Sequence, residues 1–127
     1  MKYITLLSIF LSINSFACVC IDLPDFEENL RSYELIAFVE LKEYKTLFGN
    51  KKYRLNPIKA IKGSNMPKFN SISQGITDCD AELKDGDIWL VFTTPNAGDI
   101  SLGGCSPNLP IEHLKLRYSE WLKSNKP

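Results

Sequence analysis

A single histidine, His113, supplies all the imidazole in the chain. Neither a Ser-His-Asp triad nor a Cys-His pair can be assembled around one such residue, which argues against an enzyme, and no cofactor is called for. His113 itself reads as a helix-surface residue rather than a ligand. Charge of one sign is lacking too: 15 basic side chains balance 15 acidic ones, and no basic cluster offers the footprint that nucleic-acid binding needs. Low-complexity tracts and repeats are missing while 44% of the residues are hydrophobic, a composition that argues against disorder. Beyond the N-terminus, no stretch approaches the roughly 20 apolar residues of a membrane helix, so no transmembrane segment is expected.

What the chain does have is one greasy run at its start. Lys2 provides a short positive region, Tyr3 to Ile13 an apolar one, and Asn14-Ser15-Phe16-Ala17 the small residues a signal peptidase reads. Residues 1–17 are therefore read as an export signal, and cleavage after Ala17 makes Cys18 the first residue of the mature protein. A cysteine in that place is also where a lipid anchor is attached. The residues three and two before it are Ser15 and Phe16, however, where such an anchor wants an aliphatic and a small residue, so anchoring at Cys18 is disfavoured. The expectation is a secreted or periplasmic monomer, residues 18–127, of a size that suits one domain and gains from cross-links.

Four cysteines, Cys18, Cys20, Cys79 and Cys105, are an even count, and in a small exported domain they read as a disulfide framework with three possible pairings. Joining Cys18 to Cys20 closes a strained loop that pins nothing distant. Crossing each to a far cysteine closes long loops, each contributing about 4 kcal/mol in the chain-entropy treatment. A catalytic redox C-x-C would leave the other two cysteines without a role, and a four-cysteine zinc site is out of place outside the cytosol.

Leu23-Pro24-Asp25 looks like a helix start, with Asp25 as cap and Glu28 completing a capping-box spacing. Phe26, Leu30 and Tyr33 fall on one face, predicting a helix through about Ser32. Residues 34–44 are apolar and then alternate, as in a strand leaving a barrel interior. After the turn at Gly49-Asn50, residues 53–61 form a second strand. Tyr53, Leu55, Pro57 or Ile58, and Ile61 compete for its inner face, and Pro57 predicts a bulge or an edge. A third strand is expected within 69–76, the clearest within 88–94 after the Asp85-Gly86-Asp87 turn, and a short last one over 99–103. Residues 111–122 predict a closing helix that carries Leu114, Leu116, Tyr118, Trp121 and Leu122. Trp89 reads as core. Asp78, Asp80 and Glu82 read as a solvated acidic loop without a calcium-loop pattern. Phe48 is expected to stand exposed in its turn. Five short strands with helices at the ends point to a mainly β, antiparallel barrel.

This order of features resembles the inhibitory domain of the tissue inhibitors of metalloproteinases, a netrin-like module of the oligonucleotide/oligosaccharide-binding barrel type, in its single-domain bacterial form. The resemblance rests on C-x-C at the mature start, on Tyr53 to Gly63 with its Lys-Gly end, and on Cys79 ahead of Gly86 to Val91. It rests also on Gly104-Cys105-Ser106-Pro107 followed by Leu109-Pro110 and a helix. No cysteine stands near the first helix for the family's third disulfide.

The resemblance implies a five-stranded barrel with a short N-terminal and a C-terminal helix. It implies two disulfides, Cys18 with Cys79 and Cys20 with Cys105. It further implies that the α-amino nitrogen and carbonyl oxygen of Cys18 bind the catalytic zinc of a target metallopeptidase. Val19 would enter the pocket beside that zinc, while Cys20, Ile21, Ser106 and Pro107 complete an inhibitory ridge. The same barrel also serves netrin-like proteins as a plain binding module, so an extracytoplasmic protein other than a protease is the alternative partner.

Overall fold

The computed structural model describes residues 25–63, 72–73, 82–95, 100–102 and 105–127. In chain order these hold α1 (Phe26–Ser32), β1 (Leu35–Lys45), β2 (Lys51–Lys62), β3 (Ile72–Ser73), β4 (Ile88–Thr93), β5 (Leu109–Pro110), α2 (Ile111–Arg117) and α3 (Ser119–Ser124). The expected leader (residues 1–17), the C-x-C and Cys79 lie outside the described residues.

Helix α1 starts where the cap was expected: the Asp25 carboxylate accepts the Glu28 N–H at 2.7 Å, satisfying one of the donors a helix start leaves open. At the other end the Lys62 ammonium donates to the Leu30 and Arg31 carbonyls at 3.3 and 3.0 Å, answering orphan acceptors and tying the helix to the end of β2.

The sheet is antiparallel, with strand order β3-β2-β1-β4-β5. Central β1 pairs with β2 along its length and with β4 over its first half. Its apolar beginning follows from burial on both faces. One face carries Val39, Leu41, Tyr53, Leu55, Trp89 and Val91 against Leu83, Ile100 and Leu102 from connecting segments. The other carries Ile36, Phe38, Leu90 and Phe92 beneath Phe26, Leu114 and Leu122 of the helices. The continuous run in β4 has the same cause. Among the described residues no pairing joins β3 to β5, so the described architecture is an antiparallel sheet with short helices on one face.

The irregularity expected at Pro57 is present: the register slips between Val39↔Pro57 and Phe38↔Lys59, leaving Ile58 as an extra residue, and again between Ala37↔Ala60 and Ile36↔Lys62. Such bulges bend and twist a strand. They also settle which residues face inward. Pro57 and Ile58 are exposed, and Ile61 is turned to the helix-covered cluster rather than to the side holding Tyr53 and Leu55.

Two expectations shift. Within 99–103, the described residues 100–102 are not a strand. Ile100 and Leu102 are buried as side chains while the Ser101 carbonyl is engaged by an asparagine amide, so the segment is held without a ladder. The last strand is instead Leu109–Pro110, paired with Leu90 and Trp89 at the sheet edge. There a proline's missing N–H costs no ladder bond. The closing helix is broken at Tyr118, at φ −130° and ψ 38°. Leu114 and Leu122 are buried on either side of the break, while Leu116, about 200° round α2 from Leu114, stands outside.

Candidate functional site

The predicted ridge is represented among the described residues by Ser106 and Pro107, preceded by the predicted disulfide residue Cys105. Cys105 is disulfide-bonded; every other cysteine of the chain lies outside the described residues, as do Val19 and Ile21. The structure thus places one end of the expected ridge and leaves its N-terminal end undescribed.

That end is built on Asn108, a buried side chain 5% exposed. Its Oδ1 accepts the Phe92 N–H at 2.8 Å and its Nδ2 donates to the Ser101 carbonyl at 2.7 Å. The amide therefore acts as a piece of strand backbone, bridging β4 to the 100–102 segment and satisfying groups whose burial unpaired would cost about 1 to 3 kcal/mol each. Pro107 and Pro110 restrict the chain on either side. Ser106 and Pro107 emerge half-buried beside a cavity of about 210 Å³ that they line with Tyr33, Phe92, Thr93 and Ile100. Its lining is mostly apolar, with hydroxyls from Thr93, Thr94, Ser101 and Ser106, a mix that suits contact with an extended peptide or a protein edge. Cys105 is exposed and directly precedes the cavity-lining Ser106.

Asn108 carried no functional signal in the sequence. An asparagine between prolines reads as a turn residue, and only the packing of β4 against 100–102 turns it into an anchor. Tyr33, on the apolar face the sequence predicts for the first helix, packs on the helix-covered cluster with its ring 5.7 Å from that of Phe92; that it also lines the cavity leaves no trace in the sequence.

A second cavity, about 380 Å³, opens between β4 and α2, where Glu82, Asp87, Glu112 and Lys115 surround Trp89 and Ile111. Lys115 is paired with Glu112 at 3.2 Å. Glu82 is exposed, while Asp78 and Asp80 lie outside the described residues. Among the described residues no group of three His, Cys, Asp or Glu side chains is arranged to hold a metal. His113 sits half-buried on α2 with its ring 6.0 Å from that of Tyr118. Trp89 is in the core, and Trp121 anchors α3, its ring 5.2 Å from Phe26 and 6.1 Å from Phe38. Among the described residues no helix is long and apolar enough to cross a membrane.

No protein family, no curated protein and no solved structure matches the chain.

Proposed function

We propose that the mature chain is an exported, non-enzymatic inhibitor of a zinc metallopeptidase, secreted or periplasmic, which offers the α-amino nitrogen and carbonyl oxygen of Cys18 to the target's catalytic metal. The observation that carries the reading is the disulfide at Cys105, at the base of a half-buried Ser106-Pro107 ridge, in a chain whose remaining cysteines include a C-x-C behind a cleavable leader. A bridge from Cys105 to Cys20 would set the new N-terminus beside that ridge. A second from Cys18 to Cys79 would fix the amine and carbonyl before binding, reducing the ordering cost of association.

The strand order supports the barrel that this reading requires. A sheet ordered β3-β2-β1-β4-β5 would close into a five-stranded barrel if its two edge strands met, and the two bulges in β2 would supply curvature for that. A metalloprotease zinc keeps one position open for water, and a neutral amine is a good ligand for it. An unperturbed α-amino group titrates at about 7.7 to 8.0, and only its neutral form binds metal, so inhibition should strengthen as pH rises through the amine's titration. Val19, compact and β-branched, would enter the neighbouring pocket with little rotamer freedom to lose.

The test compares the mature chain with a version carrying one extra N-terminal alanine against a panel of zinc metallopeptidases, after intact mass has established the cleavage site and the number of disulfides. Potency lost on moving the amine supports chelation. Equal behaviour of the two chains leaves the netrin-like binding module, and a mass showing an acyl group or another cleavage site excludes the inhibitor.

A further inference from the structure

The β1–β2 hairpin ends in a tight turn: the Thr46 N–H donates to the Asn50 carbonyl at 2.9 Å, the Gly49 N–H donates to the Thr46 carbonyl at 2.9 Å, and Gly49 takes φ 79°. At its tip Leu47 and Phe48 are 102% and 91% exposed, so nothing in the described chain covers two large apolar side chains held side by side. Behind them basic side chains predominate: residues 40–54 hold Lys42, Lys45, Lys51, Lys52 and Arg54 against Glu40 and Glu43, in a chain whose formal net charge is zero. Glu40 is paired with Lys42 at 2.8 Å, and Asp85 accepts the Glu43 N–H at 2.8 Å. Glu43 is answered by Lys51 at 3.4 Å, and the Arg54 guanidinium lies 4.7 Å over the Tyr44 ring.

The register sets these charges at a definite depth. Lys45 pairs with Lys51, Tyr44 with Lys52, and Lys42 with Arg54. At about 3.3 Å per residue the cations therefore form a collar within ~10 Å of the first rung behind the tip. That spacing matches a bilayer surface, where apolar groups sink about 5 to 10 Å into the headgroup and acyl boundary while lysines stay among the phosphates. Each basic side chain near an anionic leaflet adds about 1 kcal/mol of attraction. A convex tip of two residues inserts into lipid without needing a partner of complementary shape, which favours a membrane over a protein groove.

We propose that the β1–β2 hairpin docks the protein on an anionic phospholipid surface, with Leu47 and Phe48 inserted and Lys45, Lys51 and Lys52 on the headgroups. The docking is independent of the inhibitor reading, since it uses neither the N-terminus nor the Ser106-Pro107 ridge.

The full chain, as purified after export, is sedimented with vesicles of phosphatidylglycerol and phosphatidylcholine, and with phosphatidylcholine alone. Stronger partition into the anionic vesicles is expected. It should fall at least tenfold in the Leu47→Ser, Phe48→Ser double variant and severalfold in Lys45→Gln, Lys52→Gln or on raising salt. These side chains are exposed, so circular dichroism should show an unchanged fold. A leader or acyl group would hold the chain on lipid by another route, so the tip is also read directly. Phe48→Trp should give emission that moves to shorter wavelength on vesicles and is quenched by brominated lipid. Absence of that quenching, or equal partition into charged and uncharged vesicles, overturns the proposal. So does tip-dependent capture of a protein without any lipid binding.

Discussion

The Tyr53 hydroxyl is buried beneath the sheet and donates to the Leu83 carbonyl at 2.8 Å. Burial, with the Glu43 charge second, holds its proton on above the ordinary phenol value of 10.0. Because the folded state keeps that proton more tightly than the unfolded chain does, the stability it represents is complete below pH 10. It is lost as pH climbs through the raised folded value. Thermal unfolding followed from pH 8 to 11.5 should therefore show a falling midpoint on the alkaline side. Tyr53→Phe should be less stable at neutral pH by about 1 to 2 kcal/mol, having left the Leu83 carbonyl without its donor, and should show a shallower alkaline fall. A variant with the same alkaline limb as the parent would contradict this role. Tyr53 was legible as an inward residue from its alternation with Leu55. The carbonyl it meets was not, since Leu83 is 30 residues away and reached only through the fold.

Strand β2 shows how an element's ends are decided by what packs on them. Gly63 follows its last residue with φ 79°, and a Cβ there would meet the Leu35 side chain and stand 2.8 Å from the Glu34 carbonyl oxygen. Gly49, in the hairpin turn, has the same φ and open space around it. Ala at either position should carry the left-handed backbone cost of about 1 to 2 kcal/mol, and Gly63→Ala should add a further ~1 kcal/mol because a backbone oxygen cannot move aside as a side chain can. Urea midpoints of the two variants check the difference; equal losses would mean that the Gly63 contact relaxes freely. The Lys62-Gly63 end of this strand is visible in the sequence. Its tie to α1, through the Lys62 ammonium on two helix carbonyls, belongs to the assembled molecule. Alternation predicted β2 itself, but its two bulges turn Ile61 to the opposite side, which no fixed period of two can show.

Across the whole molecule, Phe26 joins the first helix to the last. Its ring stacks on Tyr118 at 4.1 Å and meets Phe92 and Trp121 edge-on at 6.2 and 5.2 Å. Phe26→Ala should therefore destabilise the chain by about 3 to 5 kcal/mol, with the cavity at the junction of helices and sheet adding to the lost transfer energy. Denaturant unfolding read by tryptophan fluorescence measures it. A loss below about 1 kcal/mol, or release of the last helix with the sheet intact, would show that the two layers are not one cooperative unit.

Local chemistry was sufficient for much of this protein. An aspartate cap and an apolar face located α1. Uninterrupted or alternating apolar runs located β1, β2 and β4. These signals are legible because each depends on neighbours a few residues away. The tertiary structure decided the rest: that Leu109–Pro110 rather than 99–103 supplies the last described strand, and that the closing helix breaks at Tyr118. It also decided that Asn108 bridges β4 to the 100–102 segment. In each case a group was satisfied by something distant in the chain, and burial on two faces, a side-chain amide in place of a ladder bond and a helix turned to fit a sheet leave no periodic trace in the sequence.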